Sequence, residues 1–137
     1  HLVQKKVAEE IWDKAHSEYQ IKAISGDDLA RALSGGNQQK VILAREINSD
    51  PRVLIANQPT RGLDVGAAEY VRTKILEARN SGTSCLLVSA DMEELLQLSD
   101  RIAVIYGGQL MGILPRGADP MAIGRLMMGK REQEVGA

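Results

Sequence analysis

The sequence predicts an α/β fold: a mostly parallel sheet flanked by helices, followed by a C-terminal β-hairpin and a closing helix. Three observations predict it. Two short apolar runs, 53–56 (Val-Leu-Ile-Ala) and 85–89 (Cys-Leu-Leu-Val-Ser), have the length and composition of buried parallel strands. A segment with helical spacing, 67–78, lies between them, as a crossover between parallel strands requires. The pair Gly107-Gly108 divides 101–106 from 109–114 in the manner of a tight hairpin turn. The resulting order of strand, helix, strand, helix, hairpin and helix implies helices packed on a sheet, with right-handed crossovers.

The elements follow in chain order. Over residues 4–18, Val7, Ala8, Ile11, Trp12 and Ala15 recur at helical spacing among Lys5, Lys6, Glu9, Glu10, Asp13 and Lys14, which predicts an amphipathic helix. Trp12 reads as a packing residue on that face, with a stacking platform as the alternative. Ser25-Gly26-Asp27-Asp28 is turn-like, and 29–33 leads to Ser34, a residue of N-cap type. A helix is expected over about 37–48, stopped by Ser49-Asp50-Pro51 because proline disfavours helix in the residue before it. The first strand comes next, and Gly62 and Gly66 punctuate the loop after it. The helix at 67–78 carries Val71, Ile75 and Leu76 on its apolar side and is closed by Asn80-Ser81-Gly82. After the second strand, 91–98 reads as a helix. The hairpin follows, then a last helix opened by Asp119-Pro120 and ended by Gly129, with a solvated tail beyond Lys130.

Composition bounds the function. The chain has 137 residues, 44% of them apolar and 26% charged, which suits one modest globular domain with a real core. Aromatic residues are only 3% and Phe is absent, so that core must be built from Leu, Ile, Val, Ala and Met. A net charge of −1, with Lys and Arg scattered, gives no electrostatic footprint for nucleic acid or anionic lipid. The single cysteine, Cys85, lies in an apolar run and reads as a buried core thiol of a reducing compartment. No apolar run is long enough to span a bilayer, and the N-terminus does not read as a signal peptide. His1 stands where an initiator Met would, which leads us to expect a piece of a longer protein.

The most informative stretch is Leu33-Ser34-Gly35-Gly36-Asn37-Gln38-Gln39-Lys40. Two glycines after an N-cap serine let a ligand approach the backbone, and the unpaired N–H groups of the first helical turn attract anions. Alone, such a turn could simply start an ordinary helix. This stretch, however, resembles the signature motif of ABC-transporter ATPases, in the form common in importers of sugars and nucleosides. About seventeen residues on, Val53-Leu54-Ile55-Ala56-Asn57-Gln58-Pro59-Thr60-Arg61-Gly62-Leu63-Asp64 resembles that family's Walker B strand and D-loop. The resemblance covers about residues 20–129 and keeps the family's order.

The resemblance implies a partial P-loop NTPase domain of ABC type, single over 1–137. Residues 1–48 would be the helical and signature region and 49–130 the part from Walker B to the last helix, with 131–137 a tail and the Walker A and Q-loop portion missing. One decoy exists: Gly124 to Lys130 fits GxxxxGK, but Arg131 stands where a Mg²⁺-binding hydroxyl is needed, inside a helical pattern. The family's Mg²⁺-orienting Asp and water-polarising Glu are replaced by Asn57 and Gln58, and its switch His by Ala90. An amide brings no charge to a metal shell and is no general base at neutral pH. Outside the family frame Asn57 and Gln58 could be plain loop residues; inside it, natural degeneracy and engineering would both produce the pattern.

The resemblance further implies that Ser34, Gly35, Gly36, Asn37 and Gln38 contact an ATP held by a second nucleotide-binding half, alongside the D-loop Gly62, Leu63 and Asp64. It makes the chain part of the degenerate second half of a duplicated importer ATPase. ATP and Mg²⁺ are expected in the full-length protein, and no tightly bound cofactor in this chain alone, which is expected to be inactive. Expected partners are the other half, transmembrane permease subunits and, indirectly, a solute-binding protein, with no nucleic acid; the chain itself is expected peripherally at the cytoplasmic face of the cell membrane. Self-association through exposed edges is also expected. The competing reading is a non-hydrolytic interaction module; a DNA-repair ATPase would need heptad arms and a basic surface.

Overall fold

A computed structural model describes residues 5–130, which fall into two compact units dividing between Val88 and Ser89. The predicted residues 1–4 and the tail from Arg131 lie outside the described residues.

The first unit contains α1 (Lys5–Glu18), a short 3-10 turn (Ala30–Ala32), α2 (Gly35–Ile47), β1 (Val53–Asn57), α3 (Val65–Asn80) and β2 (Ser84–Val88). β1 and β2 pair in parallel, with Val53 opposite Ser84 and Asn57 opposite Val88. α3 is the crossover between them. Leu54 and Ala56 of β1 join Val71, Ile75 and Ala78 of α3 and Leu43 and Ala44 of α2 in one core, which also takes in Tyr19 and Ile21. Both strands were expected to be buried. Instead, Val53 and Ile55 are 59% and 67% exposed and Leu86 and Val88 are 56% and 47% exposed, because the core reaches only one face of this sheet. Cys85 is correspondingly only half-buried, its Sγ 3.9 Å from the Ile75 carbonyl, and burial pushes its thiol pKa up.

Helix ends follow their caps. α2 begins at Gly35, two residues before the expected start, since Ser34 occupies the N-cap itself. Asp64 caps α3 by accepting from the Ala67 N–H at 2.9 Å, which starts that helix at Val65. α1 forms as expected, but of its predicted apolar face only Ala15 is buried, and Val7 and Ile11 are exposed. Trp12 packs: it joins the core margin, and a Cβ on Gly26 would lie 3.0 Å from its ring. Asp28 closes the turn beside it by accepting from Ile24 N at 2.8 Å and Ser25 N at 3.2 Å.

The second unit contains α4 (Met92–Leu98), β3 (Arg101–Tyr106), β4 (Gln109–Pro115) and α5 (Pro120–Met127). β3 and β4 form the expected antiparallel hairpin, a two-stranded sheet distinct from the parallel pair. Gly107 and Gly108 both have positive φ, 55° and 75°, as a two-residue turn matched to strand twist demands. Ile102, Val104, Ile123 and Leu126 form this unit's core. Asp119 caps α5 with Pro120 at its start, and Gly129 ends it at φ 80°. Gly124 of the GxxxxGK decoy lies within α5, so no phosphate-binding loop forms there. Among the described residues no helix is long and apolar enough to cross a membrane.

Candidate functional site

The Ser34-Gly35-Gly36 turn sits at the N-terminus of α2, where the first N–H groups of a helix have no partner within it. Ser34 and Gly35 are exposed, and a Cβ built on Gly35 would meet nothing within 4 Å, so the approach to the turn is open. Ser34 Oγ accepts from the Asn37 N–H at 3.4 Å and from Asn37 Nδ2 at 3.0 Å. Asn37 Oδ1 accepts from Lys22 N at 2.8 Å, and Gln38 Nε2 donates to the Leu33 carbonyl at 2.9 Å. Of the five residues singled out, then, Ser34, Gly35 and Gly36 form the open start of α2 while the side chains of Asn37 and Gln38 hold the turn from within.

The residues expected to form the D-loop lead into α3, whose start comes close to this turn. Leu63 packs against the core, Gly62 takes φ 75°, and Asp64 spends one carboxylate oxygen on capping α3. A Cβ on Gly36 would lie 3.1 Å from the Ala67 Cβ, so a glycine is what lets the start of α2 approach the start of α3. Lys40, one turn into α2, ties the two together. Its Nζ lies 4.5 Å from the Tyr70 ring centroid and donates to the Gln20 carbonyl at 3.1 Å. Burial and the nearby Lys22 lower its pKa, and the Asp64 carboxylate opposes that shift.

Tyr70 in turn donates to the Glu18 carbonyl at 3.1 Å, and Lys74 stands over both Tyr19 and Tyr70. Burial, reinforced by neighbouring carboxylates, pushes both tyrosine hydroxyls up to about 12. Sequence reasoning missed Lys22, Tyr19 and Tyr70 as supports of the site. Lys22 contributes only its backbone N–H, across fifteen residues, and no side-chain pattern signals that.

Asn57 is exposed at the end of β1 and Gln58 follows at φ 50°, its N–H donating to Val88 O at 2.7 Å. Ala90 belongs to the second unit, exposed, just before the α4 cap Asp91. Among the described residues no group of three His, Cys, Asp or Glu could hold a metal ion. The neutral amides at the end of β1 thus do not fit Mg²⁺, whereas the hydroxyl and N–H donors of the Ser34 turn do fit a phosphate.

Comparison with known proteins places these features in context. No family model matches the chain. It is 47% identical over 131 residues to a guanosine import ATP-binding protein of Bacillus subtilis, covering 93% of this chain and 26% of that protein. It is 52% identical over 101 residues to a nucleoside import ATP-binding protein of Lactococcus lactis, covering 73% of this chain and 20% of that one. A ribose import ATP-binding protein of Lacticaseibacillus paracasei is 40% identical over 137 residues, with 99% of this chain and 27% of the relative covered. The chain therefore spans about a quarter of the length of the curated relatives it matches. Among solved structures, a dimeric ATP-binding cassette in a post-hydrolysis state with ADP and Pi superimposes with a TM-score of 0.71 at 19% identity, over 87% of this chain and 51% of the cassette.

Proposed function

Because this chain belongs to the ATP-binding-cassette family and corresponds to the C-terminal portion of one of its nucleotide-binding domains, we propose that it forms part of the ATP-binding subunit of an importer for simple sugars or nucleosides. Within that subunit it is part of the degenerate half. Ser34, Gly35 and Gly36 present their donors to the terminal phosphate of an ATP held by the other nucleotide-binding half, which also supplies Mg²⁺. Preorganised donors aimed at a phosphoryl group stabilise the charge it carries in the transition state, which is the main thing such catalysis requires of a protein. ATP, when bound, supplies the hydrolysable phosphoanhydride whose cleavage resets the importer.

The chain's own hydrolytic positions contribute little. Asn57 and Gln58 can accept hydrogen bonds but cannot balance a metal's charge or take a proton from water at neutral pH. Turnover is then asymmetric, one site hydrolysing and the other binding. Permease subunits at the cytoplasmic face of the membrane receive the resulting movement, and a solute-binding protein delivers the cargo to them.

The observation that carries this reading is the open turn at Ser34, at the N-terminus of α2, together with neutral amides at the end of β1. Its test is ATP hydrolysis by the full-length protein. Ser34→Arg places a bulky side chain in the open approach and is expected to abolish activity. An unchanged rate would favour the non-hydrolytic interaction module instead.

A further inference from the structure

A cavity of about 420 Å³ opens between the C-terminal ends of α1, α2 and α3. That volume falls within the roughly 300–1,000 Å³ of small-molecule pockets. It lies at the far end of α2 from Ser34, and the 13 residues of that helix separate the two by roughly 20 Å along its axis. A ligand held there would not touch the phosphate site. Tyr19 forms part of the wall although it is only 1% exposed. Its hydroxyl reaches Asn48 Oδ1 at 3.4 Å, beyond the about 2.5–3.0 Å usual for an O–H···O bond, so this buried group is loosely held and can take a closer partner. Around it acceptors outnumber donors. Glu18, Asp50 and Glu77 bring carboxylates, and Glu77 Oε2 holds Lys74 Nζ at 2.7 Å. Ser81 and Thr83 donate to the carbonyls of Glu77 at 3.0 Å and Pro51 at 3.1 Å, which leaves their hydroxyl oxygens as acceptors.

Such a wall selects a ligand that donates many hydrogen bonds. A polyamine does so, but Lys14 and Lys74 line the same cavity and oppose a further cation. A nucleobase needs an open aromatic face. Tyr19 is the aromatic residue of this wall, and Lys74 Nζ already stands 5.2 Å from its ring centroid. An uncharged polyol meets neither obstacle: its hydroxyls donate to the carboxylates and accept from Lys14, while its C–H face packs on Ile47 and Ala78. From this lining we infer that the cavity is a binding site for a free monosaccharide. The bound sugar bridges α1, the end of α2 and α3. This site stands whether or not Ser34 contacts a phosphate.

The test is equilibrium dialysis of the full-length protein against labelled D-ribose and D-galactose, with spermidine and guanosine as competitors. One of the two sugars is expected to bind saturably, at one site per chain, and to be displaced by neither competitor. Glu18→Gln and Glu77→Gln should each weaken that binding about tenfold, because each removes a charged acceptor. Glu18 is exposed, so its variant is expected to keep the parent Tm, and saturating sugar should raise the Tm of the parent more than that of the variant. Absence of saturable binding of either sugar would overturn the inference, as would displacement by spermidine or guanosine, or an unchanged affinity in both variants.

Discussion

Side chains with one polar job each make the site, and they can be tested singly. Tyr19 is 1% exposed and donates to Asn48 Oδ1 at 3.4 Å, while Tyr70 donates to the Glu18 carbonyl. Both hydroxyls are raised from the ordinary tyrosine value of 10.0 to about 12, chiefly by burial. The folded state therefore holds these protons where the unfolded chain has begun to release them. Stability from this source is complete below pH 10, falls as pH rises, and is lost as the pH passes about 12. Thermal melts followed by circular dichroism should show Tm dropping above pH 10, and Tyr19→Phe should make that drop shallower. At the end of β1, a Gln58 that does not act on water predicts that Gln58→Ala leaves ATP hydrolysis by the full-length protein within about twofold. A severe loss would make Gln58 a working residue.

Helix ends are where local chemistry decides the fold. Asp64 caps α3 through a single 2.9 Å bond, so Asp64→Ala should cost about 1 kcal/mol in a denaturant melt. Gly129 is more demanding: at φ 80°, a Cβ there would lie 2.6 Å from the Tyr106 ring. Gly129→Ala should therefore destabilise by about 1 to 2 kcal/mol, and Tyr106→Ala in the same background should recover part of the loss.

These ends were also the readable part of the sequence. Ser34, Asp91 and Asp119-Pro120 each mark a helix start that the structure has, and Gly107-Gly108 marks the hairpin. The Ser34 cap at the start of α2 could be read because it follows from chain-local geometry. The inward clamps could not. Asn37 with Lys22, Lys40 with Tyr70 and Tyr70 with Glu18 join residues 15, 30 and 52 positions apart, and no local pattern encodes such pairs. The burial of β1 and β2 was misjudged for a related reason: an apolar run shows that a strand wants cover on both faces, not whether this chain supplies it.

For the whole molecule, that missing cover has a consequence. Ile55 pairs with Leu86 in register, and with Val53 and Val88 they make an uncovered apolar face on a parallel pair. Parallel sheets are normally covered on both faces, so this chain by itself should self-associate. Light scattering at several concentrations should give a mass that rises with concentration, and Ile55→Lys should reduce it. A strictly monomeric species at every concentration would count against the prediction.

The central claim concerns where the donors of one turn point when a nucleotide is bound. A structure of the full-length protein with a non-hydrolysable ATP analogue tests it most directly. The prediction is that Ser34 Oγ and the Gly36 N–H lie about 3 Å from the terminal phosphate of a nucleotide bound by the other half. Finding the Ser34 turn facing away from every nucleotide would contradict it.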